Sequence, residues 1–256
     1  MSTGERVRGG IKVISKTYNV DCLEYMKTLP DNAFDLAVVD PPYGDGCSQS
    51  VQVEREREAD GVQQVWRVVR PIQGASRTGG TWAAKYGKKI VAWDTAPDKE
   101  YFEQLFRVSR NQIIWGGNYF ELPPTRCFLV WRKLTISDQF SMAMCEYAWT
   151  SFNSNAKLFE YAPQGKGDRF HPTQKPVALY SWIFKNYAKQ TTKVLDTHLG
   201  SGSSRIAAWD YGIKFFVGCE IDETYFKKQE ERFTKHIYQP RIEQYIQQEA
   251  EQERLF

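Results

Sequence analysis

Asp40, Pro41, Pro42 and Tyr43 follow directly on the apolar run Leu36-Ala37-Val38-Val39, an order of residue types that chemistry can use. A carboxylate at the end of a buried strand stands where open α/β sheets place their ligands. The two prolines fix φ and remove two backbone donors, so the chain leaves the sheet stiffly with carbonyls left to accept. Asp40 and the Pro41 carbonyl thus form an acceptor pair for the two hydrogens of an amino group. Tyr43 adds a flat ring on which a base can stack. Asp-Pro-Pro alone is equally a strand running into a proline-rich turn, so a second site has to decide.

That second site is the stretch "VLDTHLGSGSS". A strand ends at Asp196, and Gly200-Ser201-Gly202 turns tightly into a helix whose first N–H groups can hold an anionic group. Glu220 comes 20 residues after Gly200, at the end of the next strand, where a carboxylate can accept both hydroxyls of a ribose. This is a plan for an adenosine-containing cofactor. A dinucleotide fingerprint wants a third glycine three residues after Gly202, and that position is Arg205. S-adenosylmethionine is the alternative.

Joined to Asp-Pro-Pro-Tyr, the pattern favours methyl transfer from that sulfonium donor. The exocyclic amino group of adenine or cytosine is a poor nucleophile, because its lone pair is delocalised into the ring. Holding both hydrogens on Asp40 and the Pro41 carbonyl would pull the nitrogen toward a tetrahedral shape with its lone pair facing the methyl. Preorganised polar groups and near-attack placement then supply the catalysis. The base must leave the duplex stack to arrive there. Attack by carbon 5 of cytosine would need a thiolate, usually after a proline, and no Pro-Cys pair is present.

The elements that must position these residues alternate. "KTYNVDCLEYMKTLPDNAFDLAVVD" reads strand, helix, turn, strand. Gly44 to Gly87 reads as a long irregular insertion, with "EREREAD" a short exposed helix inside it. "KKIVAWD" is then a strand and "PDKEYFEQLFRVSR" a helix with Pro97 in its first turn. "NQIIWGG", "CFLVW" and "CEYAWTSF" are strands in which Trp115, Trp131 and Trp149 are core residues, and Cys145 and Cys219 read as small buried hydrophobes. "KPVALYSWIFKNYAK" is a helix, "TKVLDTHLGSGSSRIAAWDYG" a strand, glycine turn and helix, and "KFFVGCEID" and "DETYFKKQEERF" a last strand and helix. Strands alternating with helices imply an α/β fold with a doubly wound, mostly parallel sheet. We take residues 11–236 as one catalytic domain, 44–87 as its insertion, 153–170 as a short target-recognition segment and 237–256 as a polar tail.

These motifs resemble those of the amino-methylating DNA methyltransferases (adenine-N6 and cytosine-N4), in the circularly ordered beta-type subgroup whose catalytic motif precedes the cofactor motif. The resemblance runs from about Tyr18 to Phe233 and rests on "DPPYG", "NQIIWGGNYF", "FLVWRK", "EYAWTSF", "HPTQKPV" and "DTHLGSGSS". It implies an S-adenosylmethionine-dependent Rossmann-like fold with Asp40, Pro41, Pro42 and Tyr43 as the catalytic motif. It further implies that Asp21 and Cys22 border the adenine of the donor and that Glu220 binds its ribose. Asp196, Gly200, Ser201 and Gly202 would flank its methionine moiety, Thr173 and Lys175 would close over it, and Asp40 would also touch its amino group. Aspartate at the first motif position leans toward adenine. One departure is Asp196-Thr197-His198, where the family commonly has Asp-Pro-Phe; we read His198 and His171 as structural rather than catalytic.

Composition bounds the rest. The chain has 256 residues and a formal net charge of +3, too small a charge to establish a nucleic-acid partner. The distribution says more: between Val65 and Lys89 stand six basic residues (Arg67, Arg70, Arg77, Lys85, Lys88, Lys89) and no acidic one. Such a stretch suits a phosphate backbone, and equally a solvated loop. We take Arg67, Arg70, Arg77, Lys85 and Lys88 as candidate contacts to double-stranded DNA. Five scattered cysteines and three histidines give no metal-ligand spacing, and no metal is expected. No apolar run approaches the ~20 residues of a membrane span, and "MSTGERVRGG" lacks a signal-peptide core. The expectation is a cytoplasmic protein of a bacterial or phage-infected cell, compatible with a homodimer and with a cognate restriction endonuclease.

Overall fold

The computed structural model describes residues 2–8, 11–43, 50–57, 64–72, 95–137, 143–163 and 169–253. The chain divides into two units, Met1–Pro41 with Lys99–Phe256, and Pro42–Asp98.

The larger unit is built on a nine-stranded mixed sheet. In chain order its first strands are β1 (Ser2–Arg8), β2 (Ile11–Tyr18) and β3 (Phe34–Val39), with helix α1 (Cys22–Lys27) between the last two. The smaller unit contributes β4 (Ser50–Arg57) and β5 (Gln64–Ile72), an antiparallel pair of its own. Then come helix α2 (Lys99–Val108) and strands β6 (Ser109–Trp115), β7 (Phe128–Lys133), β8 (Cys145–Thr150) and β9 (Lys157–Tyr161). Helix α3 (Val177–Tyr187), β10 (Lys193–Asp196), α4 (Ser203–Tyr211), β11 (Phe215–Cys219) and α5 (Glu223–Glu253) complete the chain.

The order across the large sheet is β1-β2-β11-β10-β3-β6-β8-β7-β9. Strands β2, β11, β10, β3 and β6 are mutually parallel, so their carboxyl ends share one edge. From β3 the chain proceeds to β6 on one side, whereas from β10 it proceeds to β11 on the other. The switch point of the sheet therefore lies between β3 and β10, where ligands of open α/β sheets bind. Asp40 follows one of these strands and Asp196 ends the other.

Strand β3 shows why the sheet holds. Leu36 and Val38 enter one buried cluster with Ile183 and Phe184 of α3 and Ala207 of α4. Ala37 and Val39 enter the opposite cluster with Met26 of α1 and Tyr101 and Leu105 of α2. A strand covered on both faces has no polar position to spare, which is why it reads as a continuous apolar run. Asp21 caps α1, its Oδ1 accepting from the N–H groups of Leu23 and Glu24, a contact worth about 1 kcal/mol.

Three expectations need correction. "EREREAD" is not a helix where the chain is described: through Arg57 it is strand β4, in which Glu54 pairs with Arg67 and Arg55 with Trp66, following the alternation of "SVQVE" rather than the charges. Pro97 precedes α2 instead of lying in its first turn. Within the segment 153–170, to which the sequence assigns no secondary structure, residues 157–161 form β9, parallel to β7. Cys145 is exposed, standing at the very start of β8, ahead of the strand's buried stretch Ala148–Thr150. The expected strand "KKIVAWD" lies outside the described residues. Helix α5 runs on through the polar tail to Glu253.

Candidate active site

Two arrangements face each other across the switch point. On the β10 side, the glycine turn places Gly200 at φ +52° and Gly202 at φ +73°, left-handed values that cost a side-chain-bearing residue about 1–2 kcal/mol. A Cβ at Gly200 would also lie 3.3 Å from the His171 ring, and one at Gly202 would lie 3.2 Å from Gln229. Glu220 fixes the turn. Its Oε2 accepts from the Gly200 N–H at 2.8 Å and its Oε1 from the Asp222 N–H at 2.9 Å. Arg232 donates to the Ser201 carbonyl at 2.8 Å and to Ser203 Oγ at 2.9 Å.

Asp196 is 2 % exposed. It accepts from the His198 N–H and from Ser204 Oγ. Burial, with the Asp40 and Glu220 carboxylates adding repulsion, outweighs those bonds and lifts its carboxyl to about 7. Burial likewise raises Glu220. Asp196 thus senses the carboxylates that follow β3 and β11, and the strand ends gather acids. A sulfonium donor with an ammonium tail and a ribose diol fits that donor set.

On the β3 side, Asp40 is ion-paired through Oδ2 to the Lys175 ammonium, which is almost fully buried. Lys175 also lies 3.1 Å from Glu146 Oε2, and Glu146 Oε1 lies 2.6 Å from Lys133 Nζ. The two ammonium groups sit 5.5 Å and 5.3 Å from the ring centroids of Trp115 and Trp131. Burial alone would raise the Glu146 carboxyl, but Lys175 and Lys133 outweigh it and hold it down at about 2. Burial likewise opposes the Lys175 charge, and Asp40 and Glu146 reverse the outcome, raising Lys175 above its usual value. The result is a chain of alternating acids and amines, Asp40–Lys175–Glu146–Lys133, in which each of the two central members holds the other in its charged form.

Most sequence-derived residues of the larger unit gather at this edge. Asp40, Asp196, Gly200, Ser201, Gly202 and Glu220 follow the strand ends expected for them. Cys22 Sγ is 4.0 Å from His198 Nε2, and burial pushes its thiol up to about 12. Asp21 is exposed and its Oδ1 is engaged as the α1 cap. Thr173 is exposed beside His171, hydroxyl to Nδ1 3.3 Å. Lys175, expected over the methionine end of the donor, is the partner of Asp40. Pro42 and Tyr43 belong to the smaller unit, as do Arg67 and Arg70 on β5. Arg77, Lys85 and Lys88 lie outside the described residues.

His198 is packed. Thr197 Oγ1 lies 2.9 Å from its Nδ1 and 2.7 Å from the Tyr101 hydroxyl, and the Tyr101 ring meets the imidazole edge-on. Burial lowers it to about 4. His171, buried and flanked by Lys175 and Arg169, falls to about 3. Sequence reasoning missed Glu146 and Lys133. Their signal was an acid opening one apolar strand and a lysine closing its neighbour, which acquires meaning only when the two strands pair antiparallel and bring the ends together.

An α/β sheet with a carboxylate and a proline on one side of the switch point, and an acid-pinned glycine turn on the other, is that of a methyltransferase built to hold a nucleoside-bearing donor. The DNA methylase family of N6 and N4 methyltransferases matches residues 14–231, and the chain belongs to it. The family transfers methyl groups from S-adenosylmethionine to exocyclic amino groups of DNA. Among curated relatives, the type II methyltransferase M.BglII from Bacillus subtilis is 24% identical over 247 residues, covering 83% of this chain and 67% of that one. Among solved structures, the PvuII DNA methyltransferase (cytosine-N4-specific) aligns at a TM-score of 0.52 with 12% identity, over 87% and 90% of the two chains. The M1.HpyAVI–SAM complex aligns at 0.50 with 15% identity, over 86% and 98%. At these identities the two structures establish the fold. Among the described residues no helix is long and apolar enough to cross a membrane, and no group of three or more side chains could hold a metal ion.

Proposed function

We propose that this chain is a site-specific DNA methyltransferase that methylates the N6 amino group of an adenine flipped out of double-stranded DNA. The observation that carries the reading is Asp40, a carboxylate beside the switch point, followed directly by Pro41 and across from the acid-pinned turn. The aspartate, rather than a serine, at this position favours adenine over cytosine within the family resemblance.

S-adenosylmethionine, when bound, supplies an electrophilic methyl on a positive sulfur. The residues to hold it are Asp196 and the Gly200–Gly202 turn at the methionine end, Glu220 at the ribose, and Asp21 and Cys22 at the adenine, with Thr173 at the rim. Asp40 and the Pro41 carbonyl accept the two amino hydrogens of the target base, and Tyr43 stacks on it. The bound donor would give its methyl to the lone pair of the amino nitrogen and keep the former S–C electron pair on its sulfur. The proton shed by nitrogen passes to Asp40 and on to water. Water exclusion and orientation do most of the work, and no covalent intermediate with the protein is needed.

The 44–87 insertion, with Arg67, Arg70, Arg77, Lys85 and Lys88, serves as a DNA-contacting element, and 153–170 contributes to target recognition. The remaining chain, 11–236, acts as one catalytic domain in the cytoplasm. A homodimer and a companion restriction endonuclease complete the proposal.

The test uses unmethylated duplex DNA and S-adenosylmethionine with a labelled methyl, followed by digestion to nucleosides and chromatography. Label in N6-methyldeoxyadenosine supports the reading. Label in N4-methyldeoxycytidine keeps the mechanism and corrects the base. No label overturns it.

A further inference from the structure

Asp40 is the group on which the proposed reaction turns, yet the structure pairs it with a buried lysine. A cation beside that carboxylate fixes its orientation but also opposes its task. As the methyl arrives, positive charge develops on the amino nitrogen, and Asp40 stabilises it only with an undiminished negative field. Glu146 resolves the conflict, because it contacts the same ammonium. We propose that Glu146 is a positioning residue for methyl transfer: it anchors and neutralises Lys175, so that Lys175 holds Asp40 still without cancelling its charge.

The geometry is specific on this point. Lys175 bridges Asp40 Oδ2 and Glu146 Oε2. Glu146 is held in turn by Lys133 at 2.6 Å. Its Oε2 is buried and meets Lys175 as an ion pair without hydrogen-bond alignment, so its effect on Lys175 is chiefly one of charge. Three secondary elements supply the pieces: the ends of β3 and β7 and the start of β8, with Lys175 delivered by the segment that leads into α3. The other titratable groups facing this chain of charges are Tyr180 and His171 beside Lys175, Arg169 beside His171, and Asp196 beside Asp40. Of all these, Glu146 is the acid besides Asp40 that contacts Lys175. At the low dielectric of a nearly closed site, a unit charge one residue away acts strongly.

This inference rests on the proposed methyl transfer, and its test separates the two. Single-turnover methyl transfer to duplex DNA is measured against pH with the donor saturating at every pH, so that the Asp196-dependent binding step does not set the acid limb, for the wild-type chain, Glu146→Gln, Glu146→Asp and Lys133→Met, with melting curves for each. Glu146→Gln leaves the charges of Lys175 and Lys133 without the acid that contacts both. Its plateau rate is expected to fall about tenfold while its acid limb moves to lower pH by roughly half a unit or more, since the carboxylate is now held ionised more firmly. Glu146→Asp, which keeps the charge, restores part of the plateau. Lys133→Met removes a cation instead, and its acid limb moves to higher pH. This opposite displacement carries the test even if Glu146→Gln does not fold. A structural role would lower the amount of active protein and leave both limbs in place. Unmoved limbs in an active series overturn the inference alone; a wild-type chain that transfers no methyl overturns the reading beneath it as well.

Discussion

The backbone N–H of Gly200 donates to Oε2 of Glu220 at 2.8 Å across 20 residues of chain. One carboxylate therefore sets the shape of the glycine turn and, in the proposed complex, receives the donor's ribose. Glu220→Gln tests the coupling. A glutamine offers one acceptor and an NH2 where two backbone N–H groups now converge, so one of them loses its partner. The cost to stability is about 1–3 kcal/mol. Donor affinity, followed by calorimetry, is expected to fall roughly ten- to a hundredfold, by the same unpaired-donor cost. Affinity unchanged within twofold would remove Glu220 from the donor site.

Asp196 supplies a prediction with a definite pH sign. Its carboxyl stands at about 7 in the folded chain against an ordinary 3.8, so between those values the folded state binds a proton that the unfolded state has lost. Stability from this group is therefore full below about pH 4. It declines as pH rises toward 7 and stays low above. Asp196→Asn abolishes that decline, and the melting temperature of the donor-free variant at pH 8 is expected to exceed the wild type's. Donor binding moves the other way. It strengthens in the wild type as pH passes 7 and the carboxylate ionises, and is weak and pH-independent in the variant. A variant less stable than wild type at pH 8 would mean that the Ser204 and His198 contacts outweigh the buried charge.

Arg205 occupies the position where a dinucleotide-binding turn would carry its third glycine, and it is fully buried. Its Nε donates to Ser15 Oγ, and one terminal nitrogen donates to Gln229 and to Glu230. Its guanidinium lies 3.7 Å over the Phe233 ring. It thus ties β2, α4 and α5 together. Removing one partner of a buried pair strands the other, so Arg205→Met is expected to destabilise the fold by about 3–5 kcal/mol, read from denaturant unfolding. Donor affinity below the unfolding transition is retained. Arg205→Lys recovers little, since an ammonium lacks the flat stacked fork.

Much of this organisation was legible because burial leaves a trace in sequence. The strands β2, β3, β6, β10 and β11 are covered on one or both faces, and helices α2 and α3 carry apolar residues at helical spacing. Asp40, Asp196 and Glu220 each follow such a run, which made them visible. Strand β9 was not legible, because as an exposed edge strand it has no buried face to impose an alternation. Nor was β1, whose "STGERVR" pairs only at the sheet edge. The Asp40–Lys175 contact joins residues 135 positions apart, and nothing local marks it. Glu146 and Lys133 gain their roles only from antiparallel pairing of β7 and β8. The Arg205 position could be read as a missing glycine but not as an anchor for α5, since its partners lie on two other elements.

The last prediction concerns DNA. In the smaller unit, Arg67 pairs with Glu54 and Arg70 with Gln52, and the register shifts between these pairs. Gln52 and Glu54 are two residues apart on β4 and so share a face. The bulge brings positions 67 and 70 to one face of the ribbon despite their odd spacing, as a straight strand would not. Two basic positions on one face suit adjacent phosphates. Each phosphate neutralised releases counterions and steepens the salt dependence of binding by about 0.9 in log–log slope. Arg67→Ala with Arg70→Ala is accordingly expected to flatten that slope by about 1 to 2 and to weaken binding uniformly across sequences. Adding Arg77→Ala extends the effect. Fluorescence anisotropy with labelled duplexes from low to moderate salt measures it. A slope unchanged in the double variant would assign these arginines to a solvated surface and move the search for the DNA contact to residues 153–170.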